Sequence, residues 1–174
     1  MRRPSLLGLA FALALATAAI AGPPAGALHT TDVNGVRVNQ MHFENKRDVY
    51  ISGGPNSNAG PILDAGNYYF MVTDPSGKVL LSTDNIADRQ FSVDSKGLLF
   101  GTTTHATGTD FDDGDQTVQL WPYNDTPNPG GVYKVWITLQ QYYNPAAPTA
   151  NFGFVEKYCK TDTFKVRTPG CDCK

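Results

Sequence analysis

The densest group of ligand atoms in this 174-residue chain is the loop Asp110-Phe111-Asp112-Asp113-Gly114-Asp115. Carboxylates spaced by a residue or two in a glycine-bent loop suit Ca2+, a hard cation that takes about six to eight oxygens. The pattern is incomplete, because the position where a bidentate Glu would close such a loop holds Trp121. The plainer reading is a solvated acidic turn between strands. Asp110, Asp112, Asp113 and Asp115 therefore stand as a candidate Ca2+ site.

The other reactive side chains are scattered. His29, His42 and His105 show no ligand spacing. The chain has no G-x-S-x-G elbow, no H-E-x-x-H and no glycine-rich phosphate loop, so a non-enzymatic role is expected. Any hydrolase here would need a site assembled from distant residues. Cys159, Cys171 and Cys173 crowd the last sixteen positions. In an oxidising compartment three cysteines favour one disulfide and one leftover thiol. A Cys171–Cys173 ring would be small and strained, so Cys159 is expected to pair with one of them. Aromatic side chains are plentiful: Tyr68, Tyr69, Trp121, Tyr123, Trp136, Tyr142 and Tyr143. Most are expected to fill a core, Trp136 among them. Tyr142 and Tyr143, beside Pro145, and Tyr123 are the candidates for contact with a ligand, since rings with a polar tip serve recognition.

These residues are set among strands and turns. No window beyond the first segment keeps a 3.6-residue apolar period, whereas short β-rich runs recur between turn residues. Strands are expected over 36–43, 48–52, 67–73, 78–82, 89–94, 97–103, 117–122, 132–140 and 161–167. Asp74-Pro75-Ser76-Gly77 suits a type I turn and marks the clearest hairpin. In 67–73 alternation sets Tyr68, Phe70 and Val72 on one face and Tyr69, Met71 and Thr73 on the other. A single open sheet of so many strands would leave an apolar face wet. An all-β antiparallel sandwich of the prealbumin or Ig-like kind is therefore expected, with a closed barrel as the alternative.

The chain starts with Arg2 and Arg3, then the apolar stretch Leu6 to Ala16, then Ala19-Ile20-Ala21. That is the layout of a cleaved secretory signal helix, and the run is too short to span a bilayer. The organisation expected is a signal peptide over 1–21, a flexible segment over 22–35, a β-sandwich domain over 36–167 and a Cys-containing tail over 168–174. Cleavage removes only Arg2 and Arg3 among charged residues, taking the net charge from −2 to −4. An acidic chain with no basic stripe has no electrostatic footprint for nucleic acid, and no second apolar run predicts a transmembrane segment.

Four stretches, VYISGGP (49–55), GNYYFMVTDPSGKVLLSTD (66–84), TPNPGGVYKVWIT (126–138) and KTDTFKVR (160–167), together resemble a module of secreted bacterial proteins. The module is similar to the prealbumin-like β-sandwiches of cell-surface adhesins and collagen-binding proteins. The resemblance covers about residues 48 to 167. It implies a secreted, non-catalytic extracellular module that binds or adheres to a protein or polysaccharide. A structural envelope or matrix component is the alternative. Some such sandwiches carry a Lys–Asn crosslink beside a buried acid; Lys46, Lys78 and Lys134 would be the candidates here.

Overall fold

The computed structural model describes residues 22–37, 40–54, 61–101 and 103–167. The expected signal peptide, Cys171 and Cys173 lie outside the described residues. Twelve strands are described, in chain order β1 (Leu28–Thr31), β2 (His42–Phe43), β3 (Tyr50–Gly53), β4 (Gly66–Thr73), β5 (Gln90–Val93), β6 (Leu99–Phe100), β7 (Thr107–Thr109), β8 (Gln116–Gln119), β9 (Val132–Leu139), β10 (Ala150–Asn151), β11 (Phe154–Val155) and β12 (Cys159–Val166). One sheet runs β2-β12-β9-β4-β5-β6 and a second runs β1-β3-β8-β7, with β10 and β11 forming a separate small hairpin. All pairings are antiparallel except that of β2 with β12. Among the described residues no helix is long and apolar enough to cross a membrane.

The architecture is all-β because the apolar residues alternate and both sheets turn one apolar face to a common core. Tyr68, Phe70 and Val72 of β4, Val135 and Ile137 of β9, and Phe164 of β12 meet Ile51 of β3 and Val118 of β8 there. The opposite face of the larger sheet is covered as well. Met71 and Trp136 pack with Phe154 and Cys159 beneath the segment that follows β9, and Trp136 Nε1 donates to Thr73 Oγ1 at 2.9 Å. Buried apolar area of this kind stabilises by roughly 25 cal/mol per Å2. Two shared-core sheets are compatible with a sandwich, and Trp136 is core as its position predicts.

Several boundaries differ from the sequence reading, each for a local reason. The segment 22–35, expected to be flexible, contains β1. Thr30 of β1 donates through both N and Oγ1 to Asp162 Oδ2, at 2.7 and 2.9 Å, which ties this strand to β12. Among the described residues of the strand expected over 36–43, His42–Phe43 is the part that forms a strand. The return arm at 78–82 makes isolated bridges because Leu81 N and Ser82 N both donate to the carbonyl of Val72, at 2.9 and 3.2 Å. Two residues facing one carbonyl form a bulge, which bends the arm out of register. The turn itself holds: Asp74 Oδ1 accepts from Lys78 N and Val79 N, both at 2.8 Å.

Candidate functional site

The acidic loop joins β7 to β8 and is closed by its own backbone. Asp110 N donates to the carbonyl of Asp115 at 2.7 Å, and Gly114, at φ 77°, donates to the carbonyl of Asp110 at 2.9 Å. The left-handed conformation is one that glycine adopts without a Cβ penalty. This turn splits the four carboxylates. Asp112 and Asp113 are exposed, whereas Asp110 and Asp115 are buried against β3. Ser52 Oγ lies 3.2 Å from Asp110 Oδ2, 3.4 Å from Asp115 Oδ2 and 3.4 Å from the carbonyl of Gly53. A hydroxyl has one proton to donate, so it cannot serve three acceptors at once.

Burial is the main force on these groups. It pushes Asp115 up to about 8, with the neighbouring charge of Asp113 adding to the effect. A protonated Asp115 can donate to Ser52 Oγ, which leaves two acceptors, Asp110 Oδ2 and the Gly53 carbonyl, for the one hydroxyl proton. Burial also raises Asp113, with the charges of Asp110 and Asp112 acting in the same sense. His29 stands directly opposite Ser52 in the β1–β3 pair, so both side chains lie on one face. Its imidazole is buried with neither nitrogen hydrogen-bonded. Burial lowers its proton affinity, although Asp110, Asp162 and Asp113 pull the other way. Among the described residues no three His, Cys, Asp or Glu side chains are grouped to hold a metal ion.

One other expectation is corrected. Tyr123 is not a surface contact: it is buried, donates to the carbonyl of Lys46 at 3.2 Å, and packs on Tyr133 and Phe164. Cys159 is buried and unpaired among the described residues, its expected partners Cys171 and Cys173 lying outside them, and Sγ lies 3.2 Å from the carbonyl of Val155. Burial pushes it up to about 12. Tyr142 and Tyr143 are half-buried; the first stacks on Tyr158 and the second meets Tyr69 and Phe154 edge to face. Of the crosslink candidates, Lys46 is paired to Asp125 at 2.8 Å and Lys134 lies over the ring of Trp136.

Two hollows bring together residues that sequence reasoning did not connect. A cleft of about 340 Å3 opens between the Glu44–Lys46 turn and the loop from Asp125 to Pro129, with Tyr133 and Arg167 on its lining. Its loop is braced: Thr126 N donates to the Tyr133 hydroxyl at 3.3 Å and Gly130 N to Asn128 Oδ1 at 2.9 Å. Ion pairs Lys46–Asp125 (2.8 Å) and Arg167–Glu44 (3.1 Å) cross its rim. A smaller pocket of about 230 Å3 is lined by Asp84, Asp88, Thr104, His105, Gln119 and Trp121, among others. His105 Nε2 donates to Asp84 Oδ2 at 2.8 Å, and Arg89 Nε sits 3.5 Å from Asp84 Oδ1. The only signal in the sequence for the cleft was the Pro- and Gly-rich run 126–131, and for the pocket a lone Trp121.

No family model matches the chain, and neither a curated protein nor a solved structure matches it.

Proposed function

We propose that this chain is a secreted, non-catalytic extracellular module of prealbumin-like sandwich type that binds a protein partner. The cleft between the Glu44–Lys46 turn and the Asp125–Pro129 loop carries the reading. Its lining combines proline and tyrosine surface with charges of both signs, which complements a polypeptide better than a neutral polysaccharide. It is built by loops on a rigid sheet, where recognition residues usually reside. Its two cations already hold carboxylate partners, so neither is poised as a nucleophile or base. The signal-like start of the chain supports an extracellular setting.

The test has two arms. Protein recovered from the producing cells' medium should begin near Gly22, and an intact Met1 inside the cell would remove the extracellular setting. Immobilised protein should then bind a member of a matrix- and cell-wall-protein panel. The charge reversals Asp125→Lys and Lys46→Glu should weaken that binding by roughly tenfold or more, the scale of an interface anchor. Binding indifferent to both reversals, or no binding across the panel, would overturn the reading. Turnover of a glycosidase, esterase or peptidase substrate would favour a hydrolase instead.

A further inference from the structure

We infer that the pocket at Asp84, Asp88, Gln119 and Trp121 is a second binding site, and that it takes a single neutral sugar ring. The inference goes beyond the protein-binding cleft and stands on different residues. Four features of the pocket set the ligand's chemistry.

Size comes first. About 230 Å3 falls below the range of roughly 300 to 1,000 Å3 typical of drug-sized ligands, so the occupant is one ring rather than an extended molecule. The wall comes second. Trp121 and Pro122 give the pocket a flat apolar side, the surface on which the C–H face of a sugar ring rests. Trp121 is held in place by the core on which it packs and by Arg47, whose guanidinium lies 4.0 Å from the ring centroid.

The third feature is an excess of acceptors. Asp88 presents a carboxylate, which only accepts, beside Asp84, whose Oδ1 is buried and whose Oδ2 holds His105. Gln119 commits its amide nitrogen to the carbonyl of Arg47 at 2.6 Å and to the Tyr50 hydroxyl at 3.3 Å, so what remains for a ligand is the amide oxygen. The hydroxyl of Thr104 donates to the carbonyl of Asp88 at 3.1 Å and keeps its lone pairs. Such a lining asks for several donors at short spacing, which vicinal hydroxyls supply. Bonds from hydroxyl to carboxylate are charge-assisted and are the stronger kind.

Charge balance is the fourth feature, and it separates a sugar from an amine. Asp84 already carries Arg89, 3.5 Å from Oδ1, and the Nε2 of His105, 2.8 Å from Oδ2. A cationic ligand would find only Asp88 without such a partner. A neutral polyol uses the acceptors without disturbing that balance. Arg89 and His105 are positioning residues here: both are buried and hold the Asp84 carboxylate from behind.

The experiment is a titration of the purified protein with the methyl glycosides of glucose, galactose, mannose and N-acetylglucosamine, and with methylamine. Binding is followed by tryptophan fluorescence and by saturation-transfer NMR. Only Trp121 and Trp136 can report, and Trp136 is buried on the far side of the larger sheet. At least one glycoside should give a saturable change, with transfer strongest to the ring C–H groups. Trp121→Ala and Asp88→Asn should each weaken it by roughly tenfold or more. Asp88 is half-buried and Asn keeps its shape, so a melt matching the wild type would show that Asp88→Asn acts on the site and not on the fold. Asp125→Lys in the cleft should leave sugar binding unchanged, which separates failure of this proposal from failure of the protein-binding one. No saturable signal with any glycoside, binding that survives both pocket variants, or tighter binding of methylamine would overturn it.

Discussion

Replacing Asp115 with Asn should make the protein more stable at pH 8 and remove a pH dependence that the wild type shows. Asp115 is buried, and burial pushes its carboxyl from an ordinary 3.8 up to about 8. The native state therefore keeps a proton that the unfolded chain releases. Stability from this neutral carboxyl is fully present below pH 3.8 and is lost progressively as pH rises to about 8. His29 acts in the opposite sense, because burial lowers it from 6.5, so protonation in the unfolded chain erodes stability only below that pH. The window from pH 6.5 to about 8 thus isolates Asp115. At about 1.4 kcal/mol per pH unit, the wild type should lose about 2 kcal/mol across it. The amide introduced by Asp115→Asn would mimic the protonated acid. Its oxygen can accept from Gln116 N, as Asp115 does at 2.7 Å, and its nitrogen can donate to Ser52 Oγ. Urea unfolding at several pH values within the window measures both chains. A wild type with flat stability, or a variant that keeps the wild-type slope, would refute the reasoning. Asp113, also raised by burial, supplies the control variant Asp113→Asn. Repeating the series with Ca2+ and with chelator tests the loop as a calcium site. A bound ion favours ionised Asp115, so the slope should vanish in Ca2+ alone; an identical slope in both media would exclude calcium.

Three further outcomes follow from the packing. Asp162→Ala should cost about 1 to 3 kcal/mol, because Thr30 N loses its acceptor while Thr30 Oγ1 keeps the carbonyl of Gln40 at 3.0 Å, and hydrogen exchange should show β1 opening first. Gly108→Ala should disrupt the β7 edge, since a Cβ there would sit 1.9 Å from the carbonyl oxygen of Val33; a melt equal to the wild type would contradict that contact. Cys159 should resist iodoacetamide in the native protein and react only on unfolding, read by peptide mass spectrometry, because its thiol is buried and pushed up to about 12. Rapid native labelling would contradict that burial, and no labelling even after unfolding without reductant would show the disulfide expected from the sequence.

Local pattern was enough to predict much of this protein. Alternation in 67–73 and 132–140 placed β4 and β9 and sorted Tyr68, Phe70 and Val72 from Met71, because side-chain direction in a strand has period two whatever surrounds it. The Asp74 turn was legible for the same reason: its hydrogen bonds close within five residues. Partnerships between distant segments were not legible. β1 looks like a polar linker until Asp162, 132 residues away, accepts its Thr30 donors. Four similar aspartates in one loop become two buried and two exposed only when Ser52 and His29 of the neighbouring strands cover one side. Tyr123 was read as available because nothing adjacent in sequence shows the rings that bury it. Both hollows join segments far apart in the chain, so their chemistry came from the fold alone: burial and convergence are properties of packing, which short-range spacing does not encode.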